Sequence, residues 1–237
     1  MIYNKIFSAK TNNKTQVAVL LDPDNYSKKS LLSLLELSNS LSIDYLLIGG
    51  SIVNHSLDSD IELIKSNTKI PVILFPGSLL QLSLKADGIL LLSLISGRNP
   101  ELLIGNHVIV APFLKSSNLE IISTGYILIS SGNTTSVEYM SNTVPIPASK
   151  PEIAVATAIA GEMLGCKLIY LEAGSGANYP VNNHLISEVK NNISIPLVVG
   201  GGIRTEADFH AAKESGADLI VLGNVLETHP EFLKQIL

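Results

Sequence analysis

Eight short apolar runs recur along the chain, and none of them alternates in polarity. They cover residues 17–21, 45–48, 72–75, 89–92, 126–129, 168–171, 197–199 and 219–222, each bounded nearby by Gly, Pro or Asp. A strand with one wet face shows a period of two. Runs that lack it belong to strands buried on both faces, the mark of a parallel sheet. Parallel strands need crossovers, and segments of helical period stand between several runs, at 28–40, 57–67, 151–164, 183–191 and 206–215. Thr205 precedes Glu206 as an N-cap, and Pro151 follows Ser149-Lys150 at a first turn. Eight strands with helical crossovers imply an α/β fold, a (β/α)8 TIM-type barrel formed as one domain over residues 1–237. The alternative is an open doubly wound sheet.

A faint internal echo supports closure. Ile70-Pro71-Val72-Ile73 leads to Ala86-Asp87-Gly88-Ile89-Leu90, and Ile195-Pro196-Leu197-Val198 leads to Ala217-Asp218-Leu219-Ile220-Val221, as duplication of a half-barrel would leave them. The spacing differs, however: 21 positions separate Pro196 from Ala217, but 15 separate Pro71 from Ala86. After the third strand about ten residues remain, at the lower limit for a crossover that includes a helix. The third helix is therefore expected to be missing or truncated. The segment there, Gly77-Ser78-Leu79-Leu80-Gln81-Leu82-Ser83-Leu84, is strongly apolar, so the open flank would be a greasy groove. A short core-packed helix is the bland alternative. The irregular stretch 133–150, with Thr134-Thr135-Ser136 and Pro145-Ile146-Pro147, is long for a barrel loop and reads as a lid or an interface element.

The apolar fraction is 46% against 16% charged residues, which suits a large core and leaves room for a homo-oligomer interface or a lipidic ligand. The net charge of −5 argues against nucleic acid, whose phosphates attract a Lys/Arg excess. With only Arg98 and Arg204 as arginines, a bound phosphate would be held mainly by backbone N–H groups. The single cysteine, Cys166, excludes an internal disulfide and reads as a small buried apolar residue. No run reaches the ~18 apolar residues of a membrane span, and Met1-Ile2-Tyr3-Asn4-Lys5 lacks a signal-peptide core, so a cytoplasmic protein with at most peripheral membrane contact is expected.

Three apolar runs end in glycine: Tyr170-Leu171-Glu172-Ala173-Gly174-Ser175-Gly176-Ala177, Val198-Val199-Gly200-Gly201-Gly202 and Ile220-Val221-Leu222-Gly223-Asn224. Barrel active sites lie at this C-terminal rim, and the loops after the last two strands usually hold phosphate. Asp22, in Leu21-Asp22-Pro23-Asp24, ends the first run, and Ser51, in Gly49-Gly50-Ser51, follows the second. A carboxylate and a hydroxyl on neighbouring rims suit Mg²⁺, which takes few protein oxygens and completes its shell with phosphates and water. Asp22 as a turn cap is the alternative, although Asp24 is the better candidate for that role. Glu172 stands across the rim, either as a structural carboxylate beside the glycine turn or as a group that binds substrate hydroxyls and acts as a base. Arg204 reads as an anion contact or a surface cap. His55 and His107 fit solvated or core roles, since the histidines show no metal-ligand spacing.

Together these residues resemble the geranylgeranylglyceryl phosphate synthase family, which includes the PcrB-like prenyltransferases. The matching pieces are Leu21-Asp22-Pro23-Asp24, Ile48-Gly49-Gly50-Ser51, Ser96-Gly97-Arg98-Asn99-Pro100, Ile104-Gly105-Asn106-His107, the run from Tyr170 to Ala177, the stretch 199–204 and Gly223-Asn224, in the family's order over nearly the whole chain. The resemblance implies a barrel lacking its third helix, with the prenyl chain in the resulting groove. It implies that Asp22 and Ser51 bind Mg²⁺ with a polyprenyl diphosphate. It further implies that Tyr170, Leu171, Glu172, Ala173, Gly174, Ser175 and Gly176, with Gly201, Gly202, Gly223 and Asn224, bind sn-glycerol 1-phosphate.

The implied reaction is a Mg²⁺-dependent prenyl transfer in ether-lipid synthesis, with Glu172 and Asp22 as the catalytic pair. The C3 hydroxyl of glycerol phosphate attacks the allylic carbon of geranylgeranyl diphosphate, Glu172 takes its proton, and diphosphate leaves. Asn25 departs from the lysine that many relatives carry, and Ser130-Ser131-Gly132 departs from a more glycine-rich loop. Relatives form dimers or hexamers, and some bacterial ones take longer, heptaprenyl-type donors. The competing functions are a phosphate-sugar isomerase or synthase on the same barrel, which needs neither groove nor metal, and a lipid carrier without turnover.

Overall fold

The apolar runs become eight parallel strands that close on themselves. A computed structural model describes residues 1–237. The strands are β1 (Gln16–Leu21), β2 (Tyr45–Ile48), β3 (Val72–Leu74), β4 (Gly88–Leu94), β5 (Glu120–Leu128), β6 (Leu168–Glu172), β7 (Leu197–Gly200) and β8 (Leu219–Leu222). The helices are α1 (Ile2–Thr11), α2 (Lys28–Ser40), α3 (Asp58–Asn67), α4 (Asn106–Lys115), α5 (Ser136–Ser141), α6 (Pro151–Met163), α7 (Asn183–Asn192), α8 (Glu206–Glu214), α9 (Asn224–Thr228) and α10 (Leu233–Ile236). Each strand pairs with the next, and β1 also pairs with β8 in the register Gln16 to Leu219 and Val19 to Leu222. That last ladder makes a closed barrel and sets aside the open sheet.

Both faces of the strands are covered, which is why their sequences do not alternate. On β6, Leu168 and Tyr170 point into the barrel, while Ile169 and Leu171 pack outward under the helices. The N-terminal end of the barrel is stopped by α1, whose Ile2 and Ile6 join the interior layer. Glu120, at the start of β5, accepts the backbone N–H groups of Ile2 and Tyr3, satisfying two of the free donors that a helix start leaves open. This helix is not among the segments expected from the sequence, although Ile2 and Ile6, and Tyr3 and Phe7, recur at a helical spacing of four.

The echoed Ala-Asp pairs have a physical cause. Asp87 Oδ2 accepts the N–H of Val72 at 2.8 Å, and Asp218 Oδ2 accepts the N–H of Leu197 at 2.8 Å. The other oxygen of each meets a lysine from the last turn of the preceding helix: Lys65 Nζ at 2.6 Å on Asp87, and Lys190 Nζ at 2.5 Å on Asp218. The same latch thus ties β3 to β4 and β7 to β8, four strands apart around the barrel.

The β3–β4 connection holds no α-helix, only a single 3-10 turn at Leu79–Gln81, as the spacing requires. Elsewhere β4 and β5 run longer than the sequence suggested. β5 begins at Glu120, and its polar first half conceals it from a search for apolar runs. Before α4 the backbone widens into a π-helical stretch, Glu101–Gly105. Within residues 133–150, α5 lies over the barrel mouth and Ile146 forms a parallel bridge with Ile129. Cys166 is half-buried rather than fully buried, because the residues before β6 lie at the edge of the barrel's N-terminal end, and burial pushes its thiol pKa up.

Candidate active site

One cavity of about 1000 Å³ sits at the C-terminal rim. Asp22, Ser51, Tyr170, Glu172, Ser175, Gly176, Gly201, Gly202, Gly223 and Asn224 all line it. Leu171 and Ala173 do not: both pack in the outer layer, and the Ala173 N–H is donated to Gly200 O at 3.0 Å. Gly174 is engaged as well, giving its N–H to Glu172 Oε1 at 2.6 Å. The cavity continues into an apolar arm lined by Leu79, Leu82, Ile89, Leu91, Leu102 and Val110. Ile89 and Leu91 belong to the outward face of β4, so the arm runs over the flank where the third helix is missing.

Glu172 ends β6 and is 6% exposed. Burial pushes its carboxyl pKa up to about 7, against the opposing pull of the Gly174 N–H and the nearby hydroxyls of Tyr170 and Tyr126. Those two tyrosines form an aromatic floor with Phe75: Phe75 stacks on Tyr170 with ring centroids 5.4 Å apart, and Tyr126 lies tilted against Tyr170 at 5.3 Å. Burial holds both phenols far above their ordinary pKa, so they stay protonated. The Tyr170 hydroxyl is fully buried without a well-formed hydrogen bond, leaving a donor free beside the carboxylate. The sequence singled out Tyr170 only as part of a motif; Phe75 and Tyr126 passed as ordinary strand residues.

The triple glycine has a role beyond presenting amides to an anion. A Cβ on Gly200 would collide with Tyr170 Oη, and a Cβ on Gly201 would collide with Glu172 Oε1. Gly201 also adopts φ +81°, which side chains resist. The β7 rim is bare because β6 side chains occupy its space.

On the other side of the mouth, Asp22 caps the turn Pro23–Asn25, its Oδ1 accepting the Asp24 N–H at 3.3 Å. Asp24 is structural too, but through Asn54 and His55: it accepts from Asn54 Nδ2 at 2.8 Å and faces His55 Nδ1 at 3.2 Å. The cap thus falls to Asp22 rather than to Asp24. Asp22 Oδ2 faces Gly50, where a Cβ would lie 2.7 Å away, and burial raises its carboxyl pKa. Across the rim, Asn25 Nδ2 and Asn224 Nδ2 both donate to Glu227 Oε1, at 3.1 and 3.3 Å, and Ser175 Oγ donates to Asn224 Oδ1 at 3.1 Å. Glu227 was not anticipated, since nothing in the sequence around it separates it from a solvated helix residue. Arg204 Nη2 donates to Ala177 O at 2.6 Å, bracing the β6 loop. His107 Nε2 meets Leu92 O at 2.9 Å beside the apolar arm, and His55 is an exposed bridge between Asp24 and Asp60.

No group of three or more His, Cys, Asp or Glu residues is placed to hold a metal ion. Asp22 with Ser51 offers one carboxylate and one hydroxyl, separated only by the bare Gly50. That donor set fits Mg²⁺ completed by phosphate oxygens and water, and suits neither zinc nor an all-protein calcium cage.

Residues 10–237 match the model of the PcrB family. The chain belongs to the PcrB family. Within it, a relative from Chitinophaga pinensis named geranylgeranylglyceryl phosphate synthase is 47% identical over 237 residues, covering 99% of this chain and 94% of the relative. The crystal structure of (S)-3-O-geranylgeranylglyceryl phosphate synthase from Thermoplasma acidophilum, in complex with its substrate sn-glycerol-1-phosphate, superposes with a TM-score of 0.92 at 32% identity, covering 99% of this chain and 96% of that one. An N-acetylmannosamine-6-phosphate 2-epimerase from Clostridium perfringens, at 16% identity and a TM-score of 0.57, shares the fold alone. The family match thus spans nearly the whole barrel, from within α1 to the C-terminus.

Proposed function

We propose that the protein is a prenyltransferase that joins the C3 hydroxyl of sn-glycerol 1-phosphate to geranylgeranyl diphosphate, releasing diphosphate and giving geranylgeranylglyceryl phosphate for ether-lipid synthesis. One observation carries this: a single cavity joins a buried carboxylate, whose pKa lies near 7, to an apolar arm on the helix-free flank. A sugar-phosphate isomerase has no use for such an arm, and a lipid carrier has no use for such a base.

Glu172 orients the glycerol hydroxyl and takes its proton as the oxygen bonds to C1 of the prenyl chain and the C1–diphosphate bond breaks. The Gly174 N–H fixes the carboxylate, and the protonated phenols of Tyr170 and Tyr126 stabilise its negative form. Backbone N–H groups of the β7 and β8 loops, with Ser175 and Asn224, face the acceptor phosphate. Asp22 and Ser51 would hold Mg²⁺ at the donor end, where a bound cation neutralises charge on the departing diphosphate.

We assign the whole reaction to one barrel domain, residues 1–237. No helix is long and apolar enough to cross a membrane, and this, with one free cysteine, supports a cytoplasmic protein that meets lipid at most peripherally. Val108, Ile109 and Phe113 on α4 and Met163 and Leu164 at the end of α6 are exposed apolar side chains, and they support a homo-oligomer. Incubation with radiolabelled glycerol 1-phosphate and prenyl diphosphates of several lengths, with and without Mg²⁺, is the direct test. Organic-extractable ether product is expected with Mg²⁺, and its absence for every chain length would overturn the assignment.

A further inference from the structure

Gln81 is the buried polar residue of the helix-free crossover. It is 1% exposed, although it lies in a single turn between two half-exposed apolar neighbours, Leu79 and Leu82. Its amide is fully directed. Nε2 donates to Gly50 O at 2.6 Å, and Oε1 accepts from Gly50 N at 3.2 Å and from Gly77 N at 3.0 Å. The side chain thus pairs with both backbone groups of one residue, as a strand neighbour would, and these three partners fix which end is nitrogen.

Gly50 also lies beside one predicted metal-binding residue and directly precedes the other. On one side it meets Asp22 Oδ2. On the other it leads directly to Ser51, against whose Cα a Cβ on Gly77 would come to 3.2 Å. Gly49 is pressed equally hard, since any Cβ there would collide with Phe75 O. The 49–51 loop is therefore clamped between the Asp22 carboxylate and the 75–81 crossover, and Gln81 is the side chain that bonds to it.

We infer that Gln81 is a positioning residue for the donor half of the site: it holds Gly50 so that Ser51 stands at a fixed place beside Asp22. This rests on our assignment of Asp22 and Ser51 to Mg²⁺ and the prenyl diphosphate. The shortened crossover then has two jobs. It opens the flank for an apolar chain, and it brings an amide from β3–β4 onto the β2 loop to preorganise the charged end of the same substrate.

The test compares wild type, Gln81→Met and, as a control on the same turn, Leu80→Ser at a side chain 88% exposed. Gln81→Met keeps length and removes both hydrogen-bonding ends. The Mg²⁺ concentration for half-maximal rate and the KM of the prenyl diphosphate are expected to rise about tenfold or more, the order of what losing the three hydrogen bonds of one buried amide costs. The KM of glycerol 1-phosphate, bound by the β6–β8 loops, should stay within about twofold, and Leu80→Ser should match wild type. Independently of turnover, Mn²⁺ titration by electron paramagnetic resonance with inorganic pyrophosphate should show the same weakening. The Gly50 and Gly77 amides should exchange slowly in wild type and fast in the variant. If Gln81→Met does not fold, Gln81→Asn, too short to span both partners, is read in the same way. Unchanged Mg²⁺ half-saturation and Mn²⁺ affinity, or equal losses for both substrates, would overturn the inference while leaving the metal assignment intact. Wild-type turnover that survives chelation would overturn both.

Discussion

Glu172 Oε1 occupies the space that a Cβ on Gly201 would need, so the carboxylate of one strand dictates the residue on the next. Gly201→Ala is expected to cost about 1–3 kcal/mol of stability from its positive φ and the collision. It should also lower kcat by displacing the carboxylate. Removing the obstacle should return part of the loss. In a double-mutant cycle, Gly201→Ala on a Glu172→Ala background should be milder by about 1 kcal/mol, measured by urea denaturation. Strict additivity would mean the two residues do not press on each other.

Glu172→Gln tests the base. Turnover should fall by about 10²–10⁴ while KM for both substrates changes little, as expected when a proton acceptor is lost without its shape. In wild type, kcat/KM should rise with pH through a limb near 7, the pKa of the buried carboxyl. A pH-independent profile for wild type, or a Gln variant near wild-type rate, removes Glu172 from the chemistry.

The same group makes a stability prediction of opposite sign. Its folded pKa of about 7 lies above the ordinary 4.5 of a glutamate, so between those pH values the native state holds a proton that the unfolded chain has released. Stability therefore falls as pH rises across that window, by about 3 kcal/mol at most for this one site. Glu172→Gln, which never ionises, should narrow or reverse the stability gap at pH 8 relative to pH 4. A gap that does not change with pH would show that the carboxyl is not held in its neutral form.

Much of the barrel was legible because a strand buried on both faces leaves a run that cannot be mistaken for a one-sided sheet. The ranges 45–48 and 219–222 coincide with β2 and β8 for that reason. The missing helix was legible by arithmetic, since chain length bounds what a connection can contain. β5 was read too short because polar residues break its apolar run: Glu120 stops α1, Ser123 Oγ accepts the Lys167 N–H at 3.1 Å, and Thr124 is buried in the core although polar. In the site, a strand-end carboxylate before glycines announces itself. Glu227 and Gln81 do not, because what makes each matter is a partner far away in sequence. Ser83 shows the same limit. Its hydroxyl bonds Asp58 at the start of α3, 2% exposed, so it faces away from the groove that its neighbours line.

The two Asp latches look alike but should not weigh alike. The Asp218 side chain is 8% exposed and that of Lys190 24%, whereas those of Asp87 and Lys65 are 37% and 41% exposed. Removing one partner of a buried pair strands the other charge, and an exposed pair is worth little. Asp218→Ala is expected to cost about 3–5 kcal/mol, and Asp87→Ala roughly 1 kcal/mol, most of it from the Val72 N–H that loses its acceptor. Equal costs in urea denaturation would mean that burial does not distinguish the latches.

The flank groove gives the sharpest test of chain placement. Leu91, on the outward face of β4, lines the apolar arm and has no helix above it. A tryptophan there would fill the space of several methylenes, each worth ~0.8 kcal/mol on burial, so excluding two of them weakens binding by about tenfold. Leu91→Trp should therefore raise the KM of geranylgeranyl diphosphate by about tenfold and spare glycerol 1-phosphate. Shorter prenyl diphosphates, which end before the obstacle, should keep their wild-type KM and become the preferred donors. If the variant treats long and short donors alike, the prenyl chain does not lie over β4, and the missing helix serves only the clamp that Gln81 makes.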